Sequence, residues 1–300
     1  MAAAVLLKAA ARVLPDFSQW YSSNVYPLLI GSIGRLSGIV SFSIVEILLY
    51  FLITIVTGMF ICSLWKKRFY DLLVNVFLIA SVLFFLYCSN CGVNYYRVSF
   101  AESEGFDSEN YSVNELIETC EWLTEQVNYW AASVNRDSRG VMYLSVDEGQ
   151  EAVRIMSALG EIYPELEGYY PKPKPLWNHW ILSVQQLSGV YSPFTIEANY
   201  NSEMVDYNIP LTVCHELSHL KGFMQEEEAN FIAFLACCES ETADFQYGGY
   251  TLAWIQCMNL LYRTDYDAWE EIRQTLSGAV EPDLKANSDF RINMMAEQQK

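Results

Sequence analysis

Positive charge and histidine are both scarce in this chain. Its 300 residues include 18 lysines and arginines against 36 aspartates and glutamates, and only three histidines. From Arg97 to the C-terminus the imbalance is 12 basic against 33 acidic residues. Such a composition argues against binding of that region to nucleic acid or to anionic lipid headgroups. We therefore expect no nucleic-acid partner, and a well solvated acidic region after residue 97.

Charge of either sign is missing from two long stretches in the first third of the chain. Residues 47–65 and 72–96 contain no Lys, Arg, Asp or Glu. Each is long enough to cross a hydrocarbon core of about 30 Å, which takes about 20 helical residues. Helices buried in soluble proteins seldom run this long without a charge. The sequence therefore predicts membrane spans at about 44–65 and 72–92, with the lipid bilayer as a partner.

A basic loop, Lys66-Lys67-Arg68, separates the two spans. By the positive-inside rule this loop is cytoplasmic, so both outer ends face the opposite side. We therefore expect residues 1–96 to form the membrane region and residues 97–300 an extracytoplasmic domain. The first 45 residues leave open an extra span, an interfacial helix or a signal-like segment, because Lys8 and Arg12 interrupt their apolar start.

Helical periodicity dominates the outer domain, which follows a polar linker at 97–112. Apolar residues recur at helical spacing in several segments, and we predict helices there. These segments are 112–130, 148–159 (ended by Gly160), 211–221, 225–238, 247–263 and, more weakly, 266–276. Residues 189–199 alternate instead and predict one or two short strands. The expected fold class is mainly α, or α+β with a small strand element.

The pattern that carries chemistry is the HExxH sequence His215-Glu216-Leu217-Ser218-His219. Positions i and i+4 of a helix share one face, so both imidazoles can point at one metal ion. A catalytic zinc site takes three protein ligands and a water, so a third ligand is required. Residue 226 lies about 16 Å further along an unbroken helix. The chain must therefore turn, and Gly222 is placed to end the helix in a left-handed cap.

Three glutamates, Glu226, Glu227 and Glu228, follow this turn at the start of the next predicted helix. Acidic residues stabilise helix N-termini without any metal, so the run also has a purely structural interpretation. Glu226 shares a helical face with Asn230, four residues on. We expect the third ligand to be one of the three glutamates, with Glu226 ahead of the other two.

Residues 215–237, HELSHLKGFMQEEEANFIAFLAC, resemble the zinc-metallopeptidase stretch of a bacterial membrane-protein family catalogued as domain of unknown function 3810. That family joins N-terminal transmembrane helices to the motif HExxHxxGxxxExEANxxAxLA. More distantly, Glu226-x-x-Ala229-Asn230 is similar to the gluzincin helix whose first glutamate is the third zinc ligand. The resemblance implies a zincin-like helical metallopeptidase domain in a bacterial cell membrane, with Zn²⁺ held by His215, His219 and Glu226.

The working hypothesis is a multi-pass, membrane-anchored zinc metallopeptidase that hydrolyses peptide bonds of extracytoplasmic or membrane-proximal substrates. Glu216 would act as the general base on the attacking water. Residues 189–199 would offer an edge strand to an extended peptide substrate. The developing oxyanion needs a donor, and Tyr191, Tyr207 and Tyr250 are candidates among which the sequence does not choose.

Three other functions remain open. A membrane-anchored receptor or scaffold could retain the metal site without catalysis, although it would have no use for the intact Glu216. An intramembrane protease would place HExxH inside an apolar span, whereas this motif has charged neighbours such as Lys221. The third alternative is an interaction domain that binds no metal. The remaining histidine, His179, lies in a Trp-rich segment, and we expect a structural role for it.

Overall fold

The computed structural model describes residues 1–14, 16–106 and 111–298, and it is mainly helical with one small mixed sheet. Residues 107–110 of the predicted linker lie outside the described residues. The first helices are α1 (Ala2–Val13), α2 (Phe17–Asn24), α3 (Tyr26–Leu29), α4 (Arg35–Ser37), α5 (Ile44–Lys66) and α6 (Phe69–Tyr87). They are followed by α7 (Phe100–Glu104), α8 (Val113–Ala131), α9 (Glu148–Ile162), α10 (His179–Gln185), α11 (Ile209–Leu220), α12 (Glu226–Cys238), α13 (Ala243–Thr264), α14 (Tyr266–Gln274) and α15 (Glu281–Gln298).

Helices α5 and α6 are long and apolar enough to cross a membrane. The second apolar segment continues beyond α6 through a π-helical turn at Cys88–Gly92 and a 3-10 turn at Asn94–Tyr96. In the most apolar 18-residue stretch of each helix, only 6% and 11% of the residues, respectively, are buried inside the protein. Neither helix therefore lies in the core. The prediction of a mainly helical fold with two long apolar helices is confirmed.

The sheet contains β1 (Lys174–Pro175), β2 (Gly189–Ser192) and β3 (Glu197–Tyr200) in the order β1-β3-β2. Strand β3 is central, parallel to β1 and antiparallel to β2. The strands predicted within 189–199 are β2 and β3. Within the described part of the chain β2 pairs on one side only, so it forms an edge of the sheet. Helix α11 packs against both β2 and β3.

The main hydrophobic core includes residues from both sides of the predicted boundary at residue 96. Tyr26 and Val93 are buried in the same cluster as Ile196 and Leu220. The Tyr26 hydroxyl donates to the Leu220 carbonyl oxygen at 3.0 Å and lies 2.8 Å from the Tyr191 hydroxyl. Helix α3 is therefore held against the end of α11, the helix that carries HExxH.

Two buried carboxylates fix the start of α5 against the sheet. Glu197 of β3 accepts hydrogen bonds from the backbone amides of Ile44 (3.1 Å) and Val45 (2.9 Å), and it pairs with buried Lys174 of β1. Glu46, in the first turn of α5, accepts from the backbone amides of Trp177 and Asn178, both at 2.8 Å. Because both groups are held through several bonds, α5 leaves the domain at a fixed point beside the sheet.

The helix predicted to end at Gly160 continues to Ile162, so that boundary was wrong. Gly160 is buried, and a Cβ there would lie 2.9 Å from the Leu166 carbonyl oxygen. This glycine permits close approach of a neighbouring segment and does not end the helix. Helix α15 was not predicted; it is fixed by Asp283, which accepts from the Met142 amide and from Arg136, both at 2.7 Å.

Candidate metal centre

The HExxH helix and the glutamate helix meet through a tight turn. Helix α11 ends at Leu220, and Gly222 adopts φ 94°, the left-handed conformation expected from the sequence. The Gly222 amide donates to the His219 carbonyl oxygen at 2.9 Å, and the Phe223 amide donates to that of Ser218 at 3.2 Å. Gln225 is extended and precedes Glu226, the first residue of α12. The turn thus places the first residue of α12 next to the last turn of α11.

His215, His219 and Glu226 form a compact group of metal-ligating atoms. One ligand atom from each lies within 4.8 Å of the other two. Nε2 of His215 is 3.3 Å from Oε2 of Glu226, and Nε2 of His219 is 3.6 Å from Oε1. The two imidazoles meet edge to face, with centroids 4.5 Å apart. Two imidazole nitrogens and a carboxylate oxygen are a donor set that suits zinc.

Both imidazoles are oriented by a hydrogen bond at the opposite ring nitrogen. Nδ1 of His215 lies 2.9 Å from Oδ1 of Asn230, and Nδ1 of His219 lies 2.7 Å from the Phe223 carbonyl oxygen. When each imidazole carries its proton on Nδ1, both contacts are hydrogen bonds. The unprotonated Nε2 of each ring then has its lone pair directed towards Glu226. This is the orienting arrangement found around metal-bound histidines. The residues present therefore fit a metal ion.

The pKa values of the group reflect burial and the facing carboxylate. Burial is the largest single influence on the pKa of His215 and acts to lower it, but the bond with Glu226, the charges of Glu216 and Glu226 and the contact with Asn230 together outweigh burial, and the net shift is upwards. Burial lowers the pKa of His219. The pKa of Glu226 is held below its usual range by His215, so this carboxylate is ionised, as a metal ligand must be.

Of the three neighbouring glutamates, Glu226 is the one that the described structure brings to the histidines. Glu228 points elsewhere and accepts a hydrogen bond from the Phe100 backbone amide at 2.6 Å. Its pKa is raised by burial. Glu227 is exposed. Glu228 therefore fixes α7 against α12, whereas Glu226 faces the imidazole pair.

Glu216 is buried beneath the sheet edge, with a residue exposure of 4%. Burial raises the pKa of its carboxyl group to about 8, although His215 nearby and the Tyr191 backbone amide act in the opposite direction. Its Oε2 has no hydrogen-bond partner among the described residues. A Cβ on Gly189 would lie 2.5 Å from Oε1 of Glu216. Glycine at 189 therefore leaves the space that this carboxylate occupies.

A cavity of about 520 Å³ opens over the group. Its walls are the histidines and Glu216 on α11, Glu226 and Asn230 on α12, the edge strand β2, and part of α13. The end of the second apolar segment completes the wall with Cys91 and Tyr95. Tyr95 is 44% exposed. A side chain next to a long apolar helix thus reaches the cavity.

The tyrosines proposed from the sequence as oxyanion donors are placed differently. The Tyr191 hydroxyl points into the core, where it bonds to Tyr26 and donates to the Asn90 carbonyl oxygen at 3.1 Å. Tyr207 and Tyr250 are buried in a second cluster beside α8 and do not line this cavity. The described structure supports none of the three as a donor to the cavity, because the Tyr191 hydroxyl is bonded in the core and the other two tyrosines do not line the cavity.

His179 lies away from the metal-ligating group, and its Nδ1 is 2.8 Å from Oε2 of Glu203. Tyr95, by contrast, was missed from the sequence. It closes an uncharged stretch that indicates only a membrane helix, and no spacing relates it to residues more than 100 positions later. The role of Phe223 was missed because its backbone, not its side chain, makes the contact. Asn230 did have a signal, since it shares a helical face with Glu226.

Comparison with known proteins gives one positive result. The comparisons with curated proteins and with solved structures both find no match. A family model described as "Protein of unknown function (DUF3810)" matches residues 21–299, which include the apolar helices, the HExxH helix and the glutamate helix. The chain therefore belongs to the DUF3810 family.

Proposed function

We propose that this chain is a membrane-anchored, zinc-dependent peptidase. The observation that carries the proposal is the convergence of His215, His219 and Glu226 beside a buried Glu216, at the base of an open cavity. Three protein ligands and an accessible side are the requirements of a catalytic zinc site. The likeness of residues 215–237 to a zincin or gluzincin active-site stretch supports the same function.

The proposed roles follow from position. His215, His219 and Glu226 would hold the zinc, which would supply Lewis acidity and a bound water with a pKa of about 7. Glu216 would accept a proton from the attacking water and pass it to the leaving amine. Burial raises the pKa of Glu216 above that of an exposed glutamate, which makes its carboxylate a stronger proton acceptor.

Tyr95 is our candidate for the donor to the developing oxyanion. Four hydroxyl-bearing residues line the cavity: Tyr95, Ser188, Tyr191 and Thr212. The Tyr191 hydroxyl is bonded in the core, and Oγ1 of Thr212 donates to the Asn208 carbonyl oxygen at 2.8 Å. Of the other two, we select Tyr95 because a phenol hydroxyl is the more acidic donor. Tyr95 lines the same cavity as Glu226 and is partly exposed. A hydroxyl held at the site before reaction stabilises the transition state without reorganisation.

The edge strand β2 is our candidate for the substrate-binding element. Residues 188–191 line the cavity above Glu216, and β2 pairs with β3 on one side only within the described chain. An extended peptide can add to such an edge through its own backbone hydrogen bonds. This mode of binding would lay the peptide across the metal-ligating group.

The surroundings favour a membrane location. Helices α5 and α6 bury few of their apolar residues inside the protein. An exposed apolar surface of that size is unfavourable in water. A bilayer would cover it. The basic loop at 66–68 would then be cytoplasmic, and the cavity would face the extracytoplasmic side of a bacterial cell membrane. A non-catalytic receptor or scaffold with a metal site is the alternative.

The test uses the full chain purified in detergent. We expect about one zinc per chain, and cleavage of at least one sequence in a broad peptide library. Glu216→Gln should keep the zinc and lose at least about 100-fold in cleavage rate, since the base is removed without changing a ligand. Glu227→Gln, at an exposed position on α12, is the matched control.

The outcomes separate the alternatives. A chain that binds no zinc would rule out the peptidase. A wild-type chain that binds zinc and cuts nothing in the library would favour the scaffold instead. Equal cleavage by wild type and Glu216→Gln would remove Glu216 from the mechanism.

A further inference from the structure

A set of exposed apolar side chains lies along the chain from Trp177, beside the start of α5, through α10 to the end of β2. We call it the apolar rim; each of its side chains is at least 37% exposed. Its members are Trp177, Trp180, Ile181, Leu187, Val190 and Phe194. The rim is fixed to the membrane helix at one end, where the Trp177 amide donates to Glu46 and the Trp177 ring lies 5.7 Å from that of Phe42.

At its other end the apolar rim reaches the cavity. Leu187 and Val190 are rim residues and also line the cavity beside Gly189. On the same helix as Trp180 and Ile181, His179 pairs with the carboxylate of Glu203, so this surface is apolar but not free of charge. Tryptophan is enriched where proteins meet the membrane–water interface, and two of the six rim residues are tryptophans. The rim therefore has the composition and the location of a surface that rests on the bilayer beside α5.

The opposite wall of the cavity is also attached to the membrane segment. The chain passes from Tyr87, the last residue of α6, to Tyr95 in the cavity wall within eight residues. Eight helical residues span about 12 Å. With the bilayer surface level with Tyr87, about four extended residues, at about 3.3 Å each, would carry a substrate from that surface into the cavity.

We infer that the substrates of this site are membrane-embedded polypeptides, cut in the segment that leaves the bilayer, about four residues beyond the substrate's own span. The inference rests on the peptidase function proposed above. Both walls of the cavity begin at the membrane, one at α6 and one at α5 through the apolar rim. A tethered chain would therefore meet the cavity at its entrance, and tethering would raise its local concentration.

A spacer series tests the inference with the full chain in vesicles of phosphatidylethanolamine and phosphatidylglycerol. Each substrate carries one apolar span, a Gly-Ser spacer and the same cleavable sequence found in detergent. We expect fastest cleavage with a spacer of about four residues and little cleavage without one. A spacer of about 16 residues should be several-fold slower than the optimum, because effective concentration falls with linker length.

The untethered peptide should be cut at least about 10-fold more slowly than the best tethered substrate in the same vesicles. Equal rates for the untethered peptide and every spacer length would overturn the inference. Cleavage of the soluble peptide in detergent would still support the peptidase function in that case. The detergent assay and the spacer series therefore test the two proposals independently.

A rim substitution gives a second, independent readout. Ile181→Glu places a charge on the apolar rim at a residue that does not line the cavity. We expect at least a 5-fold loss with tethered substrate in vesicles and no change with soluble peptide in detergent. Leu260→Glu, on an exposed site of α13, is the control and should change neither rate. An Ile181→Glu protein that cuts tethered substrate at the wild-type rate would contradict the role of the rim.

Discussion

Oδ1 of Asn230 lies 2.9 Å from Nδ1 of His215, across the boundary between α12 and α11. Asn230 is one turn beyond Glu226 on the same face of α12. A single helix therefore presents one carboxylate to the Nε2 side of the imidazole pair and one amide oxygen to the Nδ1 side of His215.

Removing this amide should weaken metal binding. We expect Asn230→Ala to lower zinc affinity about 10- to 100-fold, because the His215 ring loses the bond that orients it. Asn230→Asp keeps an acceptor oxygen and should retain most of the affinity. Competition with a zinc chelator measures both variants, and unchanged affinity in Asn230→Ala would show that packing alone orients the ring.

The three glutamates should differ sharply when each is changed to glutamine. Glu226→Gln should reduce zinc affinity by at least about 100-fold, since it removes a charged ligand. Glu227→Gln should leave affinity unchanged, because Glu227 is exposed. Glu228→Gln should lower thermal stability slightly, through the bond to the Phe100 amide, with little change in zinc affinity. A larger loss of zinc in Glu228→Gln than in Glu226→Gln would reverse the assignment.

Tyr95 and Tyr96 form a matched pair for the donor hypothesis. They are 44% and 42% exposed, but Tyr95 lines the cavity and Tyr96 does not. Tyr95→Phe should lower kcat about 100-fold with little change in KM or zinc content, as expected for loss of a transition-state donor. Tyr96→Phe should be close to wild type. If Tyr95→Phe raises KM alone, the hydroxyl binds the substrate and not the oxyanion.

The buried Glu216 carboxyl should make the stability of the chelator-treated protein depend on pH. Below about pH 4.5 the group is protonated in both the folded and the unfolded chain. Between that value and about pH 8 the unfolded chain releases a proton that the folded chain keeps. The free energy of unfolding should therefore fall as pH rises through this window, by at most about 5 kcal/mol.

Glu216→Gln should remove this component, whereas Glu227→Gln should not. Thermal unfolding of the three proteins in chelator from pH 5 to about pH 8 measures the difference. If the melting temperatures of the wild type and of Glu216→Gln change in parallel over this pH range, the Glu216 carboxyl group titrates normally and the prediction is wrong.

The buried pair between Lys174 and Glu197 should contribute much more to stability than an exposed pair. Glu197→Ala leaves a buried ammonium group without its carboxylate and frees two amides of α5, so we expect a loss of about 3–5 kcal/mol. Lys174→Met should cost less, because Glu197 keeps the amides of Ile44 and Val45. Lys172→Met breaks an exposed pair with Asp147 and should cost less than about 1 kcal/mol. Equal melting temperatures for Glu197→Ala and Lys172→Met would contradict this ranking.

Local patterns predicted the two long apolar helices, six of the later helices, the strands β2 and β3, and the turn at the motif. Gly222 was identifiable because a helix that carries two ligands cannot supply a third ligand eleven residues later without reversing. The choice of Glu226 over Glu228 could be anticipated only in part. It depends on the Phe100 amide that occupies Glu228, and that amide belongs to a segment more than 100 residues earlier.

The remaining features depend on contacts between segments that are distant in sequence, and the periodicity of a local segment carries no information about such contacts. Tyr95 enters the cavity because the second apolar segment packs against the motif helix. Tyr191 was a reasonable donor by residue type, but its hydroxyl is bonded to Tyr26, 165 positions away. Gly160 was misjudged for the same reason, since the neighbour it accommodates is not visible in the helical pattern.

The bonds from Tyr26 to Tyr191 and to Leu220 have a practical consequence. A soluble fragment that starts at residue 97 would lose α2 and α3, and with them the cover over the end of α11. Ile196, fully buried in the whole protein, would lose its neighbour Gly34, and the Leu220 carbonyl oxygen would lose the hydroxyl that donates to it. Excising the acidic domain for ease of handling would thus damage the very helix whose chemistry is of interest, and biochemistry on this protein calls for the intact chain in detergent or lipid.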